Sequence, residues 1–303
     1  IIIFTNIKDL YMFIKIKKRH FKHLIIFTLL LLLCFFYSLL TKKFNSYKVN
    51  PNLMYVHYIN VDQGDAILIQ VNNKNLLIDS GPKSHKKQLV KFLNDLNISK
   101  LDYVIATHPH EDHIGNMNTV LNSYKVQSFY APKVYSYTKS FEQMIDSLKS
   151  NNLKITPIKR GCNTINLGFQ TNVEVFSPIN DTYDNENNYS PVIKISFGNN
   201  SFLFTGDAEK EIEDKLILLN DDLKADILKV SHHGSSSSTS DSFLNRVSPK
   251  YAVISVGKNN IYDHPNDTII SKLNTYNIDI LRTDIQNNIT LISDGTNISY
   301  KYY

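Results

Sequence analysis

The chain divides, by its pattern of apolar and polar positions, into an apolar N-terminal run and a long remainder of short alternating segments. Residues 24–40 carry no charge, and this length just suffices to span a bilayer as a helix. After a polar stretch, β-rich runs alternate with segments of helical spacing, which is typical of α/β or α+β domains. We expect helices at 86–97, 139–149, 209–219 and 267–276, and a flexible loop in the Ser-rich stretch 235–240. We expect strands at 53–61, 66–71, 75–79, 101–107, 126–131, 173–177, 192–197, 201–205, 227–231, 251–256 and 289–292.

The apolar run is interpreted as an uncleaved anchor that crosses a bacterial cell membrane once. A basic cluster at 15–22 precedes it and fewer lysines follow, which predicts a cytoplasmic N-terminus and an extracytoplasmic domain. No small-residue cleavage site follows the run, which disfavours a signal peptide. A run that is apolar on every face also disfavours a soluble buried helix. The expected divisions are a basic segment 1–23 with a natural start at Met12, the anchor 24–40, a linker 41–52 and a domain 53–303.

The net charge is concentrated in the N-terminal segment. The whole chain carries +5, of which residues 1–43 contribute +7, so residues 44–303 carry −2. The basic pI is therefore no sign of a polyanion-binding domain, although a local basic groove stays compatible with it. Cys34 and Cys162 fall one in each part, so an ordinary buried core must stabilise the larger part.

One short loop concentrates residues that bind metal ions. His108, His110, Asp112 and His113 lie within six residues, directly after an apolar strand. Histidine is the commonest metal ligand, and an ionised Asp supplies a hard oxygen. A solvated polar loop would not need this density of ligand-type residues, and strand ends are where α/β folds place their sites. We therefore expect a metal site at this loop.

Three further segments that follow predicted strands carry His or Asp. They contain Asp207 after a Gly, the pair His232 and His233, and His264 before a predicted helix. Alone, Gly-Asp is a common turn and a lone His is more often a helix-entry residue, whereas paired histidines are moderately specific. Together they can converge on one edge of a sheet. Two histidines of the domain lie outside these motifs and are expected to have structural or surface roles: His57 and His85.

The motif HPHEDH at 108–113 resembles the His-x-His-x-Asp-His signature of the metallo-β-lactamase superfamily. The surrounding sequence resembles one branch closely, the hydrolase domain of ComEC-type competence proteins, over nearly all of residues 53–295. The resemblance implies an α+β fold, the four-layer αββα metallo-β-lactamase sandwich, here preceded by a single transmembrane helix. The similar segments are VDQGDAILI (61–69), NLLIDSG (75–81), LDYVIATHPHEDHIG (101–115), FLFTGDAEKE (202–211), DILKVSHHGS (226–235) and SPKYAVISVGKNNIYDHPN (248–266).

The resemblance also implies two divalent metal ions, with zinc expected first and manganese or iron also suited to His/Asp donors. Asp207 would bridge the two ions. The other implied ligands are His108 and His110 for the first metal, and Asp112, His113 and His264 for the second.

The resemblance implies roles for residues around the metals as well. The implied catalytic residues are Asp112 and the pair His232 and His233, one of which would protonate the leaving group or support the metals. The residues alone do not decide which of the pair faces the site. Asp79 matches a buried Asp that orders the metal loop through hydrogen bonds.

This sequence departs from the wider family in two ways. Residues 114–206 contain no His, where many relatives supply a further ligand, and an Asn-rich turn with Asn188 stands there instead. Three protein ligands and an open position still suit a catalytic metal. Asp62 and Asp263 also stand where the branch usually has Gly; if the backbone there has positive φ, Asp tolerates it better than most residues.

These observations predict a membrane-anchored metal-dependent hydrolase, a phosphodiesterase or nuclease acting outside the cytoplasm and related to DNA uptake. The low charge of the domain leaves small or cell-surface phosphodiesters, such as phosphocholine esters, as the alternative substrates. An alternative from another class is a non-catalytic metal-binding accessory protein of DNA uptake. The expected partners are the membrane, DNA as substrate and other competence or surface proteins.

Overall fold

The structure is a computed structural model that describes residues 7–44 and 50–302. Contacts divide the chain into two units, Ile1–Lys48 and Val49–Tyr303. In the first unit, α1 (Ile7–Phe44) is one continuous helix, and its window His20–Tyr37 is long and apolar enough to cross a membrane, with a mean hydropathy of 1.8.

Helix α1 extends past the predicted anchor on both sides. No Gly or Pro occurs between residues 7 and 44, so nothing in the sequence ends the helix at residue 40. The first four residues of the predicted linker are therefore helical. Its residues 45–49, and residues 1–6 of the basic segment, lie outside the described residues.

The second unit contains two sheets and eight further helices within residues 50–302. The strands are β1 (Met54–Tyr58), β2 (Ile67–Val71), β3 (Lys74–Ile78), β4 (Lys100–Ile105), β5 (Lys125–Ala131), β6 (Ile155–Pro157), β7 (Thr171–Val175), β8 (Ile193–Phe197), β9 (Asn200–Phe204), β10 (Ile227–Lys229), β11 (Tyr251–Ile254), β12 (Asp279–Arg282), β13 (Ile289–Ser293) and β14 (Ile298–Tyr302). The helices are α2 (Lys86–Asp95), α3 (Glu111–Ile114), α4 (Met117–Ser123), α5 (Lys139–Ser150), α6 (Lys210–Leu218), α7 (Asp241–Val247), α8 (Asp267–Thr275) and α9 (Thr283–Gln286).

Each sheet has a parallel part and an antiparallel part. The eight-stranded sheet has the order β14-β13-β1-β2-β3-β4-β5-β6, and the six-stranded sheet has the order β12-β11-β10-β9-β8-β7. Strands β3 to β6 run parallel in the first sheet, and β9 to β12 run parallel in the second. Loops that leave the carboxyl ends of these strands can therefore share one edge of each sheet.

Alternation along the strands builds a four-layer sandwich. Tyr58 and Phe204 belong to an apolar cluster between the two sheets, whereas Leu203, one residue away, faces the helices outside. A second cluster joins the eight-stranded sheet to α2, α4 and α5, and a third joins the six-stranded sheet to α6, α7 and α8. The predicted αββα architecture is confirmed.

All eleven predicted strands are present, with ends shifted by a few residues, and the four predicted helices correspond to α2, α5, α6 and α8. The short β6 and the edge strands β12 and β14 were not predicted. Residues 235–240, predicted as a flexible loop, are instead packed: Ser238 and Thr239 are buried, and the backbone N–H groups of Thr239 and Ser240 donate to Glu213.

Candidate metal centre

Five of the six predicted metal ligands meet where the carboxyl ends of the parallel strands of both sheets come together. The loop after β4 carries the HPHEDH motif, and α3 begins inside it at Glu111. Asp207 follows β9, and the pair His232 and His233 follows β10. Both sheets therefore contribute side chains to one cluster.

Asp79, at the end of β3, holds the HPHEDH loop in place. Its carboxylate accepts hydrogen bonds from the Thr107 N–H at 2.8 Å and the Thr107 hydroxyl at 2.6 Å, and Nδ1 of His113 lies 2.8 Å from Oδ2. The β1–β2 loop packs closely against the same segment. There is no room for a side chain at Gly64, because a Cβ there would lie 2.2 Å from the Asp112 carbonyl oxygen. The loop backbone is thus fixed by a buried carboxylate and by close packing.

The turn after β10 brings two neighbouring imidazoles to the cluster. His232 and His233 both have left-handed backbone conformations, with φ of 48° and 54°, which costs energy in residues other than glycine. Nε2 of His233 lies 3.3 Å from Nε2 of His113, and Nε2 of His232 lies 3.8 Å from Oδ2 of Asp207. Both histidines therefore face the site, His233 fully buried and His232 partly open to solvent.

Four imidazoles of the cluster each contact, through one ring nitrogen, a group on its outer side. This leaves the other nitrogen of each ring facing inward, the arrangement in which outer partners orient metal-binding histidines. The outer contacts are His108 Nδ1 to Thr107 Oγ1 at 3.1 Å, His110 Nε2 to Glu186 Oε2 at 3.2 Å, His113 Nδ1 to Asp79 Oδ2 at 2.8 Å and His233 Nδ1 to the Ser255 carbonyl oxygen at 2.8 Å.

The inward nitrogens converge on two neighbouring positions. At one, Nε2 of His108 lies 3.0 Å from Nδ1 of His110. At the other, one donor atom each from Asp112, His113, Asp207 and His233 lie within 4.8 Å of one another. Oδ2 of Asp207 lies 3.2 Å from His113 Nε2 and 3.8 Å from His108 Nε2, so this carboxylate stands between the two positions.

This donor set fits divalent metal ions. Oδ1 of Asp207 is buried and has no hydrogen-bond partner among the described residues, which is costly unless a cation takes that role. Imidazole nitrogens and carboxylate oxygens are ligands of zinc, manganese and iron. Bound metal ions would account both for the buried oxygen and for the paired imidazole nitrogens.

The electrostatics of the cluster favour a positive charge at its centre. Burial would raise the pKa of the Asp207 carboxyl, but the imidazoles of His113, His233 and His108 hold it well below its usual range. Burial would lower the pKa of His113, but the carboxylates of Asp207, Asp112 and Asp79 raise it well above its usual value. Burial and the neighbouring His113 lower the pKa of His108 well below its usual value, which keeps that imidazole in the neutral form that binds metals.

The structure places His264 and His233 differently from the implied ligand set, although Nδ1 of His264 is buried and has no hydrogen-bond partner among the described residues. His264 lines the same cleft, with its ring centroid 5.6 Å from that of His232, but it is not in the group of four donors, whereas His233 is. The Asn260 side chain explains this placement, because its Oδ1 accepts hydrogen bonds from the N–H groups of Tyr262 and His264 and holds their loop at the rim. The left-handed turn, which spacing along the chain does not reveal, brings His233 inward instead.

Asn188 lies beside the centre without a hydrogen bond to it. It is buried, its amide donates to Glu211 at 3.0 Å, and its Oδ1 accepts the Glu209 N–H at 3.0 Å. Two residues of this turn reach predicted ligands: Glu186 contacts His110, and Ser190 contacts His108 and accepts a hydrogen bond from the Asp207 N–H. Sequence reasoning missed Glu186; the only available signal was an acid in the turn that stands where many relatives supply a ligand.

Glu209 was missed in the same way. Its Oε1 lies 3.4 Å from Nδ1 of His232, and the Ser237 hydroxyl lies 3.2 Å from the same nitrogen. These contacts orient Nε2 of His232 toward Asp207. Both Asp positions that replace Gly have positive φ, 64° at Asp62 and 59° at Asp263.

An open cleft of about 360 Å³ leads to the cluster. No Lys or Arg lines it within the described part of the chain, so its lining is acidic and imidazole-rich. Tyr262 stands at its rim, 60% exposed, with its ring stacked on His264 at 5.8 Å between centroids. The lining residues are Gln63, His110, Glu111, Asp112, Asp207, His232, His233, Tyr262 and His264.

Comparison with known proteins agrees with the expected family. The model of the Metallo-beta-lactamase superfamily matches residues 59–258. ComE operon protein 3 of Bacillus subtilis (strain 168) is 33% identical over 267 residues, which cover 82% of this chain and 33% of that protein. Competence protein ComA of Neisseria gonorrhoeae is 28% identical over 227 residues, which cover 74% of this chain and 30% of that protein. The chain thus spans about a third of the length of these curated relatives.

A solved structure shares the fold at low identity. The metallo-beta-lactamase fold protein YhfI from Bacillus subtilis aligns with a TM-score of 0.53 and 13% identity, over 82% of this chain and 100% of that one. The resemblance drawn from the HPHEDH motif and the segments around it is confirmed at the level of family and fold.

Proposed function

Because the chain belongs to the metallo-beta-lactamase superfamily and is related to competence proteins, we propose that it is a metal-dependent phosphodiesterase acting outside the cytoplasm, with DNA as the first candidate substrate. The observation that carries the proposal is the convergence of four inward-facing imidazoles and two carboxylates at the floor of an open cleft. The apolar window of α1 supports attachment to a membrane. The proposed extracytoplasmic side of the domain rests on the basic residues that precede this window.

In this proposal His108, His110 and Asp207 would hold one metal ion. Asp207 would also be a ligand of a second ion. That second position is completed by Asp112, His113 and His233, with His233 in the place first expected for His264. When bound, such ions activate water for attack and neutralise charge that develops on the attacked phosphoryl group.

The residues of the chain itself supply orientation and protons. Asp79 and Glu186 fix the rings of His113 and His110 from outside, so the inward nitrogens are positioned before the metals bind. His232 is the proton donor to the leaving group in this scheme, because its Nε2 faces the cluster while Glu209 holds its Nδ1. Burial lowers the pKa of His232, so the protonated ring gives up its proton readily, and its partial exposure lets solvent replace that proton.

The proposal is tested on the purified full-length chain supplied with zinc or manganese. Hydrolysis of bis(p-nitrophenyl) phosphate and of single- and double-stranded DNA is measured alongside the metal content. We expect turnover that chelation abolishes and that either metal restores. Intact substrates in the presence of two bound metal ions would refute the phosphodiesterase proposal and favour the non-catalytic accessory protein, which predicts DNA retention without turnover.

A second substrate class is favoured by one observation, the cleft lined by acids without Lys or Arg. A phosphodiester with a cationic group, such as a phosphocholine ester, would be attracted by Glu111 and could rest on the exposed ring of Tyr262. Relative rates on p-nitrophenyl phosphocholine and on DNA rank the two classes. Preference for the choline ester would replace DNA as the substrate and keep the same chemistry.

A further inference from the structure

The outer surface of α2 carries a concentration of positive charge in a domain whose net charge is negative. We call Lys83, Lys86, Lys87 and Lys91 the α2 lysine face; all four are exposed. No acid occurs between residues 83 and 94, and Asp95 pairs with Lys91. Within the described residues, Lys83, Lys86 and Lys87 make no ion pair with a carboxylate, so their charges are available to a partner.

Helical spacing directs Lys87 and Lys91 to solvent, while Lys83 and Lys86 are exposed at the turn where α2 begins. Leu89 and Leu93, four residues apart, are buried in the cluster between α2 and the eight-stranded sheet. Lys87 and Lys91, also four apart, lie on the opposite side. The ten residues of α2 extend about 15 Å, so the face forms a short track along the surface.

The track begins at the metal centre. The chain leaves β3 at Asp79, which orients His113, and reaches Lys83 four residues later. The Lys83 N–H donates to the Glu111 carboxylate at 2.7 Å, and Glu111 lines the cleft. The Asn116 amide donates to the Pro82 carbonyl at 2.6 Å and fixes the same connection. A strand that enters the cleft therefore meets the α2 lysine face as it leaves.

We propose that the α2 lysine face binds the phosphate backbone of a nucleic-acid strand whose scissile phosphodiester lies in the cleft. The inference rests on the proposed phosphodiesterase function and specifies a polymer as its substrate. Affinity for nucleic acid comes mainly from Lys and Arg that neutralise phosphates, and the cleft itself offers none. The face supplies these charges next to the cleft. Its continuity with the cleft favours nucleic acid over an anionic membrane surface.

The test compares two matched double variants of the full-length chain in detergent. One is Lys86→Gln with Lys87→Gln. The other is Lys149→Gln with Lys154→Gln, two exposed lysines, one in the last turn of α5 and one just after it, at the opposite edge of the sheet from the metal centre. Binding of a fluorescent 30-nucleotide single strand is followed by anisotropy in EDTA, which prevents cleavage, over a series of KCl concentrations.

We expect the α2 variant to bind at least about tenfold more weakly and its log–log salt slope to fall by about 1.4, because each lost contact to a single strand removes about 0.7. The remote variant is expected to bind as the wild type does. Equal affinity and slope in the α2 variant, or an equal loss in the remote variant, would overturn the inference. The wild-type rate on bis(p-nitrophenyl) phosphate, measured in parallel, tests the proposed function separately.

Protection of lysines from acetylation addresses the membrane alternative. Single-stranded DNA should protect Lys86 and Lys87 in the full-length chain. Protection by vesicles that contain phosphatidylglycerol, with none by DNA, would assign the face to a lipid surface and overturn the inference.

Discussion

The metal centre and the middle of the eight-stranded sheet both bury histidine side chains completely, but in opposite surroundings. His57, on β1, lies between the Thr290 hydroxyl at 2.8 Å and the Gln70 amide oxygen at 3.1 Å. Burial lowers its pKa to about 3, against a smaller opposing effect of the bond to Gln70. His113 is equally buried, yet carboxylates raise its pKa. Burial alone keeps an imidazole neutral, whereas burial among carboxylates creates a place for positive charge.

Asp207→Asn should have the largest effect, because it removes the carboxylate on which the contrast depends. We expect the phosphodiesterase rate to fall by at least about 10³-fold, or about 4 kcal/mol of barrier. Steady-state kinetics with bis(p-nitrophenyl) phosphate measures it. Asn has nearly the same shape, so unfolding in EDTA serves as the control for folding. Wild-type activity in this variant would show that Asp207 does not bridge two metal ions.

His233→Ala, compared with His264→Ala, tests which imidazole belongs to the centre. We expect the first change to weaken binding of the second metal ion by about 100-fold, and the second by less than about tenfold, because only His233 lies among the four donors. Titration with Co²⁺, followed by its visible absorption, measures both. The reverse order would restore His264 as the ligand and leave His233 a supporting role.

His57→Gln tests whether burial alone keeps the imidazole of His57 neutral. The folded protein keeps His57 neutral down to about pH 3, whereas the unfolded chain takes up a proton below about 6.5. The stability that this depressed pKa provides is thus fully present above pH 6.5 and is lost as the pH falls toward 3. Between pH 7 and pH 5 the wild type should lose about 2 kcal/mol more of its free energy of unfolding than the variant.

Urea unfolding of both proteins at the two pH values gives this difference. Histidines of the metal centre titrate in both proteins, so their contribution cancels. A pH-independent difference between wild type and variant would mean that His57 is charged, or open to water, in the folded state.

Glu186→Gln should have the smallest effect, because Glu186 lies at the exposed margin of the centre. Gln keeps a group near His110 Nε2 but removes the charge, so we expect about a tenfold loss of metal affinity at the first position. The matched control is Glu142→Gln, which changes an exposed acid of α5 that does not contact the metal centre among the described residues. Equal affinities in the two variants would show that Glu186 has no part in orienting His110.

The sequence predicts a feature well when that feature depends on residues that are close together in the chain. The HPHEDH loop concentrates four donors in six residues, so their proximity needed no tertiary knowledge. Alternating apolar and polar residues likewise revealed β8, and a continuous apolar run revealed β9. The three residues of β6 carry no such alternation, and the loop at 235–240 reads as flexible because its partner, Glu213, is distant in sequence.

The remaining parts of the site depend on backbone conformation and on contacts between distant segments. His233 is drawn into the cluster by two consecutive left-handed residues, a conformation that no residue-type pattern predicts for histidine. Glu186 contacts His110 only because the turn after β7 folds over the end of β4. His264 looked like a ligand in sequence, and only the bonds around Asn260 show why its loop stops at the rim.

The division of the cluster between the two sheets has a mechanical consequence. Asp112 and His113 extend from the eight-stranded sheet, and Asp207 and His233 extend from the six-stranded sheet. An ion bound by all four residues would link the two sheets at the edge where the metal centre lies. Its binding free energy would therefore also stabilise the two sheets against separation. Without the ion, we expect the two sheets to separate first at this edge when the domain unfolds.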